Sequence, residues 1–389
     1  MKSPKIRFKE FNSEWNSATL GELGEIIKGQ QINKIDLLPS GKYYVLNGGI
    51  TPSGYTNSFN TNENIISISE GGNSCGFVNF NKEKFWSGGH NYTLQNLVIN
   101  TRFLYALLKY REKNIMSLRV GSGLPNIQKS SLLEFKIQIP TDLKEQEAIG
   151  EFFRKIDEIL DLEKLRFKKF ENFKKTMLDK LFVAPGETAP RLRLGSFTSA
   201  WTSVTLGEVC EIFRGLTYSP NDIAKQGVKV LRSSNIKNSK FIENNDDVFV
   251  KEKAVNIKKI QDLDILITSA NGSTNLVGKH AIITKAKNMV HGGFMLLLRA
   301  KNPYFINALM DTSWYNNFIS LNVHGGNGAI GNLKANDLLN AKIQIPTDLK
   351  EQEAIGEFFK KIDEILELSQ NRISKLENIK KYLLNKMFV

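Results

Sequence analysis

The side chains best suited to chemistry are few and scattered. Residues 272–279, GSTNLVGK, place two glycines and a lysine in an order that could cradle a phosphate. The glycines are one residue too far apart, however, and His280 stands where a phosphate-binding loop carries Ser or Thr for its metal. A turn is the expectation there. His90, His280, His291 and His324 show no metal-ligand spacing, and each lies beside glycine or lysine in a segment that reads as a loop. They suit surface or hydrogen-bonding roles. Cys75 and Cys210 are the only cysteines, too few for a disulfide framework or a cysteine-rich zinc site, which fits a reducing compartment. No Asn/Asp-Pro-Pro-aromatic string, dinucleotide glycine fingerprint or serine nucleophile elbow occurs. The expectation is a chain without catalytic residues, metal or cofactor of its own, one that positions other molecules.

What would do the positioning is a stretch that occurs twice. Residues 136–160, KIQIPTDLKEQEAIGEFFRKIDEIL, return at 342–366 with one change, Arg154 to Lys360, and the likeness continues from 170–183 into 376–389. Two near-identical surfaces in one chain imply that the same thing is bound, or built, twice. A second echo joins 7–26 to 193–212, matching at Arg7/Arg193, Phe11/Phe197, Trp15/Trp201 and TLGE. The chain is therefore two tandem halves, and the recurring tryptophans read as core anchors.

Each repeat reads as a long helix. Pro140 and Pro346 stop a strand, Thr141-Asp142 and Thr347-Asp348 supply N-caps, and Glu145 and Glu351 follow in the first turn. Apolar residues at Ile149, Phe152, Ile156 and Ile159, then Phe170, Phe173 and Met177, keep a heptad rhythm. Ile355, Phe358, Ile362 and Ile365, then Leu376, Ile379 and Leu383, repeat it. The frame falls on Glu163 and Arg166 in one copy and on Ser369 and Arg372 in the other. Polar residues in a seam select register, so antiparallel pairing should bring Glu163 to Arg372 and put the two globules at opposite ends of a spacer. Phe153 and Phe359 join Ile149, Phe152, Ile156, Ile355, Phe358 and Ile362 as the residues expected to hold the coil and its partner-facing surface.

Between the repeats lie short β-like runs, YYVL, IISIS, GFVNF and YTLQNLVI in the first half and VKVLRSSNI, DILITSANGS, KHAIIT and FMLLLRA in the second. Helical spacing follows at 101–111 and at 304–321. Each half is thus expected to be an α+β globule ending in a glycine-rich loop. The chain's net charge of +13 is uneven. Residues 1–141 carry 16 basic against 10 acidic side chains and 184–347 carry 19 against 12, whereas 142–183 and 348–389 balance at 10 each and 8 each. Basic globules suit a polyanion, and neutral helices suit protein contacts. No run approaches the roughly 18 apolar residues of a membrane span, and the first residues lack the apolar core of a signal peptide. A soluble, cytoplasmic protein is expected.

The whole chain resembles the specificity subunit of type I restriction–modification systems. The match rests on IPTDLKEQEAIGEFFRKIDEIL in each copy, the W..xTLGE openings, FRGLTYSPNDI…VKVLRSSNI and DILITSANGSTNLVGKHAII. The resemblance implies two tandem α/β target recognition domains, 1–140 and 191–346. It also implies two conserved helices, 141–185 and 347–389, paired as an antiparallel coiled coil with pseudo-two-fold symmetry. In such a protein each domain reads one half of a split double-stranded DNA target. Two methyltransferase subunits dock on the conserved parts, restriction subunits join to defend against foreign DNA, and S-adenosylmethionine is bound by the partner. Candidate DNA contacts are the polar and basic loop residues Lys28, Gln30, Asn33, Lys34, Asn47, Tyr55, Asn73 and Lys84, with Arg214, Tyr218, Arg232, Asn235, Lys237, Asn271, Ser273 and Lys279. The alternatives are a recognition subunit of another combined restriction–modification enzyme and a freestanding DNA-binding regulator.

Overall fold

The structure, a computed structural model, describes residues 3–121, 123–323 and 331–389. His324 and most of the second glycine-rich loop lie outside them. The chain forms two compact units, Met1–Leu165 with Gln370–Val389, and Arg166–Ser369.

In the first unit a four-stranded antiparallel sheet has the order Glu25–Lys28, Asn91–Gln95, Ile65–Ser69, Val78–Asn81. One face is apolar because Ile66, Ile68, Tyr92 and Leu94 alternate with polar residues and pack on the helix Thr101–Tyr110. The alternate residues Ser67 and Asn81 are buried too and bond to each other at 2.9 Å. A smaller sheet pairs Tyr43–Leu46 antiparallel to Gly54–Thr56 and parallel to Trp86–Ser87. In the second unit the order recurs as Cys210–Arg214, Met295–Ala300, Ile265–Thr268, His280–Ile282. Here both faces are apolar: Ile265, Ile267, Leu296 and Leu298 belong to one core cluster, Leu266 and Leu297 to another. The helical stretch expected at 304–321 is two helices, Pro303–Met310 and Ser313–Asn322. Thr312 breaks it by adopting extended backbone at the second N-cap, while its hydroxyl donates to Leu309 O at 2.7 Å.

The repeats form helices Leu143–Leu181 and Leu349–Met387, and the Asp142 and Asp348 carboxylates accept from the backbone N–H of Lys144 and Lys350. The helices pair antiparallel. In the first unit Arg372 meets Glu163 at 3.0 Å, as expected, and Lys164 meets Glu377 at 2.6 Å. In the second unit Lys174 meets Asp363 at 2.7 Å. Burial pulls the Lys174 ammonium down, but Asp311 and Asp363 outweigh it and hold it above its ordinary value.

The seam differs from expectation at alternate positions. It runs Ile149, Phe153, Ile156, Leu160, Glu163, Phe167, Phe170, Lys174, Met177 and Leu181 in one helix. In the other it runs Ile355, Phe359, Ile362, Leu366, Ser369, Ile373, Leu376, Lys380, Leu383 and Met387. Ile159, Arg166, Phe173, Arg372 and Ile379 are exposed, and Phe152 and Phe358 are half-buried. Both i+3 and i+4 neighbours of a seam residue lie near its face, and apolar pairs such as Phe152-Phe153 and Ile159-Leu160 fill both, so spacing alone could not choose. The globules choose: each seam also packs on a sheet-and-helix core.

Each unit is closed by the end of the other repeat. Phe388 lies in the first core, stacked on Phe153 at 5.6 Å, and Phe182 lies in the second, stacked on Phe359 at 5.9 Å. The repeated Glu-Gln pair explains itself here. Fully buried Glu145 accepts from Arg7 Nε at 2.6 Å and Nη2 at 2.7 Å, and Glu351 pairs likewise with Arg193. Gln146 and Gln352 donate to the carbonyls of Pro140 and Pro346, each at 2.9 Å, joining strand end to helix start. Gly150 lets helix Thr101–Tyr110 abut the long helix, since a Cβ there would stand 2.7 Å from Phe103 N.

Candidate nucleic-acid interface

The unique loops gather where the sheets of each unit meet. In the first unit the strand Glu25–Lys28 ends beside the turn 88–90, and the loop 70–73 is fixed to 120–126 by Gly71↔Asn126 and Gly72 N→Pro125 O at 3.0 Å. Lys28 reaches Glu70 Oε1 at 2.6 Å, and the Tyr92 hydroxyl donates to the same oxygen at 3.0 Å. Burial, aided by that hydrogen bond, pushes the Tyr92 phenol up to about 12, so it remains a donor. Asn47 Oδ1 accepts from His90 N at 3.1 Å. Lys28, Asn47 and Asn73 are thus brought to one face. Gln30 joins them through its backbone, which bonds Ser87 and the Trp86 indole. Among the described residues no hydrogen bond ties Asn33, Lys34, Tyr55 or Lys84 to this cluster; Lys84 instead lies 4.7 Å over the Phe59 ring.

The second unit repeats the arrangement. Arg214 ends its strand exposed, and Ala270 and Asn271 pair with Asn332 and Gly331. Asn271 Oδ1 caps the loop by accepting from Ser273 N at 3.0 Å. Ser273, Lys237 and Lys279 are exposed, and Tyr218 packs half-buried on a small apolar cluster. Arg232 spans to Asp246 O at 3.3 Å.

Two expectations change. Asn235 does not face a ligand: it is fully buried, its amide donates to Asp247 Oδ1 at 2.7 Å and Ile242 O at 3.0 Å, and its oxygen accepts from Arg232 N. It holds the loop that carries Arg232. His280 and His291 lie buried in strands rather than loops. Burial keeps the His291 imidazole below its ordinary value, so the neutral ring donates from Nε2 to Phe213 O at 3.0 Å.

GSTNLVGK is a bend around the short 3-10 turn Thr274–Leu276, with Val277 buried. Among the described residues no group of His, Cys, Asp and Glu could hold a metal ion, and no helix is long and apolar enough to cross a membrane. What the two faces can do is hydrogen-bond: rigid loops present amides, hydroxyls and cations on a sheet scaffold, the chemistry that phosphates and base edges require.

A family model described as the type I restriction modification DNA specificity domain matches residues 12–171 and 198–378. A Mycoplasma pneumoniae protein named as a type I specificity subunit is 31% identical over 247 residues, covering 62% of this chain and 64% of that protein. The chain thus spans just under two thirds of that relative's length. The specificity subunit of the type I restriction enzyme MjaVIII from Methanocaldococcus jannaschii is 23% identical over 403 residues, covering 97% of this chain and 94% of the relative. A crystal structure of a type I restriction–modification S subunit from M. genitalium shares the fold, with a TM-score of 0.72 at 24% identity over 100% of this chain and 99% of the other.

Proposed function

The chain belongs to the type I restriction-modification DNA specificity family, and from that premise we propose that it supplies the sequence specificity of such a system, each unit reading one half of a bipartite double-stranded target. The observation that carries this reading is the contrast within the molecule. Two units share strand order, yet their surface loops differ and the segments that bear them hold the excess positive charge, while the helices are neutral and near-identical over their first halves, 143–160 and 349–366. Different loops suit different bases, and a surface repeated in the first half of each helix suits the same partner twice.

Exposed lysines such as Lys34, Lys237 and Lys279 would bind phosphates, and the more fixed Asn47, Asn73, Arg214, Arg232 and Asn271 would approach base edges. The methyl transfer itself would take place on a partner methyltransferase that binds S-adenosylmethionine. Two such subunits would dock on the repeats, and restriction subunits would join through them. Matched exposed leucines support that docking: Leu143 and Leu162 in the first unit, Leu349 and Leu368 in the second. The helices would set the gap between the half-sites.

Replacing residues 27–135 by the corresponding segment of another recognition domain should change one block of the methylated sequence and leave the other intact. Methylation mapping reads the result. A change in both blocks would contradict the division of labour.

A further inference from the structure

In each unit a ring residue stands exposed just before the second strand of the central sheet. Gly88-Gly89-His90 and Gly292-Gly293-Phe294 occupy the same place, just before the second strand of the central sheet. In both units the turn is pressed against the glycine that follows the first strand. A Cβ on Gly29 would stand 2.2 Å from Gly88 O, and one on Gly215 would stand 1.9 Å from Gly292 O. The backbone of the ring residue is fixed as well: His90 O accepts from Glu70 N at 2.9 Å, and Phe294 O accepts from Ser269 N at 2.9 Å and Ala270 N at 3.1 Å. The side chains nevertheless point outward, with 63% of the His90 side chain and 68% of Phe294 exposed. Phe294 is the most exposed phenylalanine among the described residues. A rigid mount for an exposed apolar ring, on a face lined by Arg214, Arg232 and Asn271, is what a ligand with an apolar spot among polar edges requires.

We propose that this position determines specificity in each unit: Phe294 seats against the 5-methyl group of a thymine in the major groove, and His90 bonds a base edge through Nε2. Thymine is the base that offers an apolar group in that groove, and phenylalanine is among the side chains that meet it. On the other face, Glu70 Oε2 is buried without a hydrogen-bond partner and lies 3.5 Å from His90 Nδ1. As the nearest acceptor it favours a proton on Nδ1, which leaves Nε2 on the outer side of the ring to meet a base edge. This inference rests on the DNA-reading function proposed above and names the residues that carry it.

The test uses the whole restriction–modification complex. Methylation mapping with Phe294→Ala should show lost discrimination at one A·T pair of the block assigned to the second unit, with the other block unchanged. His90→Ala should do the converse. In duplex binding, replacing that thymine by uracil removes only the methyl group. It should weaken the wild-type complex by roughly 5-fold, the low end of a single mismatch, and leave the Phe294→Ala complex indifferent. Unchanged base preference in Phe294→Ala, or a wild-type complex blind to uracil, overturns the inference while the bipartite reading stands. A wild-type complex without any bipartite motif would overturn both.

Discussion

Replacing Arg7 by alanine lowers the stability of the first unit by about 3–5 kcal/mol, the cost of leaving one member of a buried ion pair without its partner. The magnitude follows from where the carboxylate sits. Glu145 has no solvent exposure, and among the described residues its carboxylate hydrogen-bonds only the two Arg7 nitrogens and the Trp15 indole, the latter at 3.4 Å. Arg7 is further fixed by donating to Ser13 O at 2.6 Å. Since the strand, the tryptophan and the helix start converge on this pair, its loss should loosen the joint between globule and coil. For a unit of this size the shift in Tm is roughly 2–4 °C per kcal/mol, read by thermal unfolding of the full chain. Arg7→Met with Glu145→Leu should recover much of the loss, because well-packed apolar pairs substitute for buried ion pairs. A loss below ~1 kcal/mol, typical of an exposed pair, would mean that water reaches the carboxylate.

Phe388→Ala should cost about 3–5 kcal/mol, the range for truncating a fully packed phenylalanine. Its ring stacks on Phe153 and on Tyr110, the latter at 5.8 Å, and meets the edges of Phe103 and Trp15. Phe182→Ala should act alike on the second unit, where the ring meets Phe305 at 5.3 Å and Trp201 at 6.3 Å. Phe152→Ala should cost clearly less, because Phe152 is half-buried and rests on Phe8 at the edge of the core. Denaturant titration of the three variants ranks them. Equal losses for Phe152 and Phe388 would mean that the seam runs through Phe152 after all.

Much of this architecture was legible because local rules and the duplication pointed the same way. The caps at Asp142 and Asp348, the strand runs and the helix over 101–111 follow from short-range signals, while Glu163 and Arg372 meet as expected, although Arg372 stands exposed beside the seam rather than in it. Choosing Phe153 over Phe152 needed tertiary information, since both lie near one face of the helix. The Arg7–Glu145 pair was visible only as a shared arginine in one echo and a shared glutamate in another; nothing along the chain joins residues so far apart. The closing of each core by Phe388 or Phe182 was hidden for the same reason. Among the loop residues, polarity alone could not separate Asn235, whose amide is used up inside the fold, from Asn47 or Asn271, which stand at a face. Phe294 escaped because an apolar residue in a β-like run reads as core.

The measurement that bears most directly on the whole account is single-molecule methylation mapping of a host that expresses this chain with the methyltransferase proposed as its partner. Two different basic units on repeated helices predict one methylated motif made of two short specified blocks separated by a fixed gap of unspecified bases, and its loss when the chain is removed. A single uninterrupted motif, or methylation that persists unchanged without the chain, would contradict it.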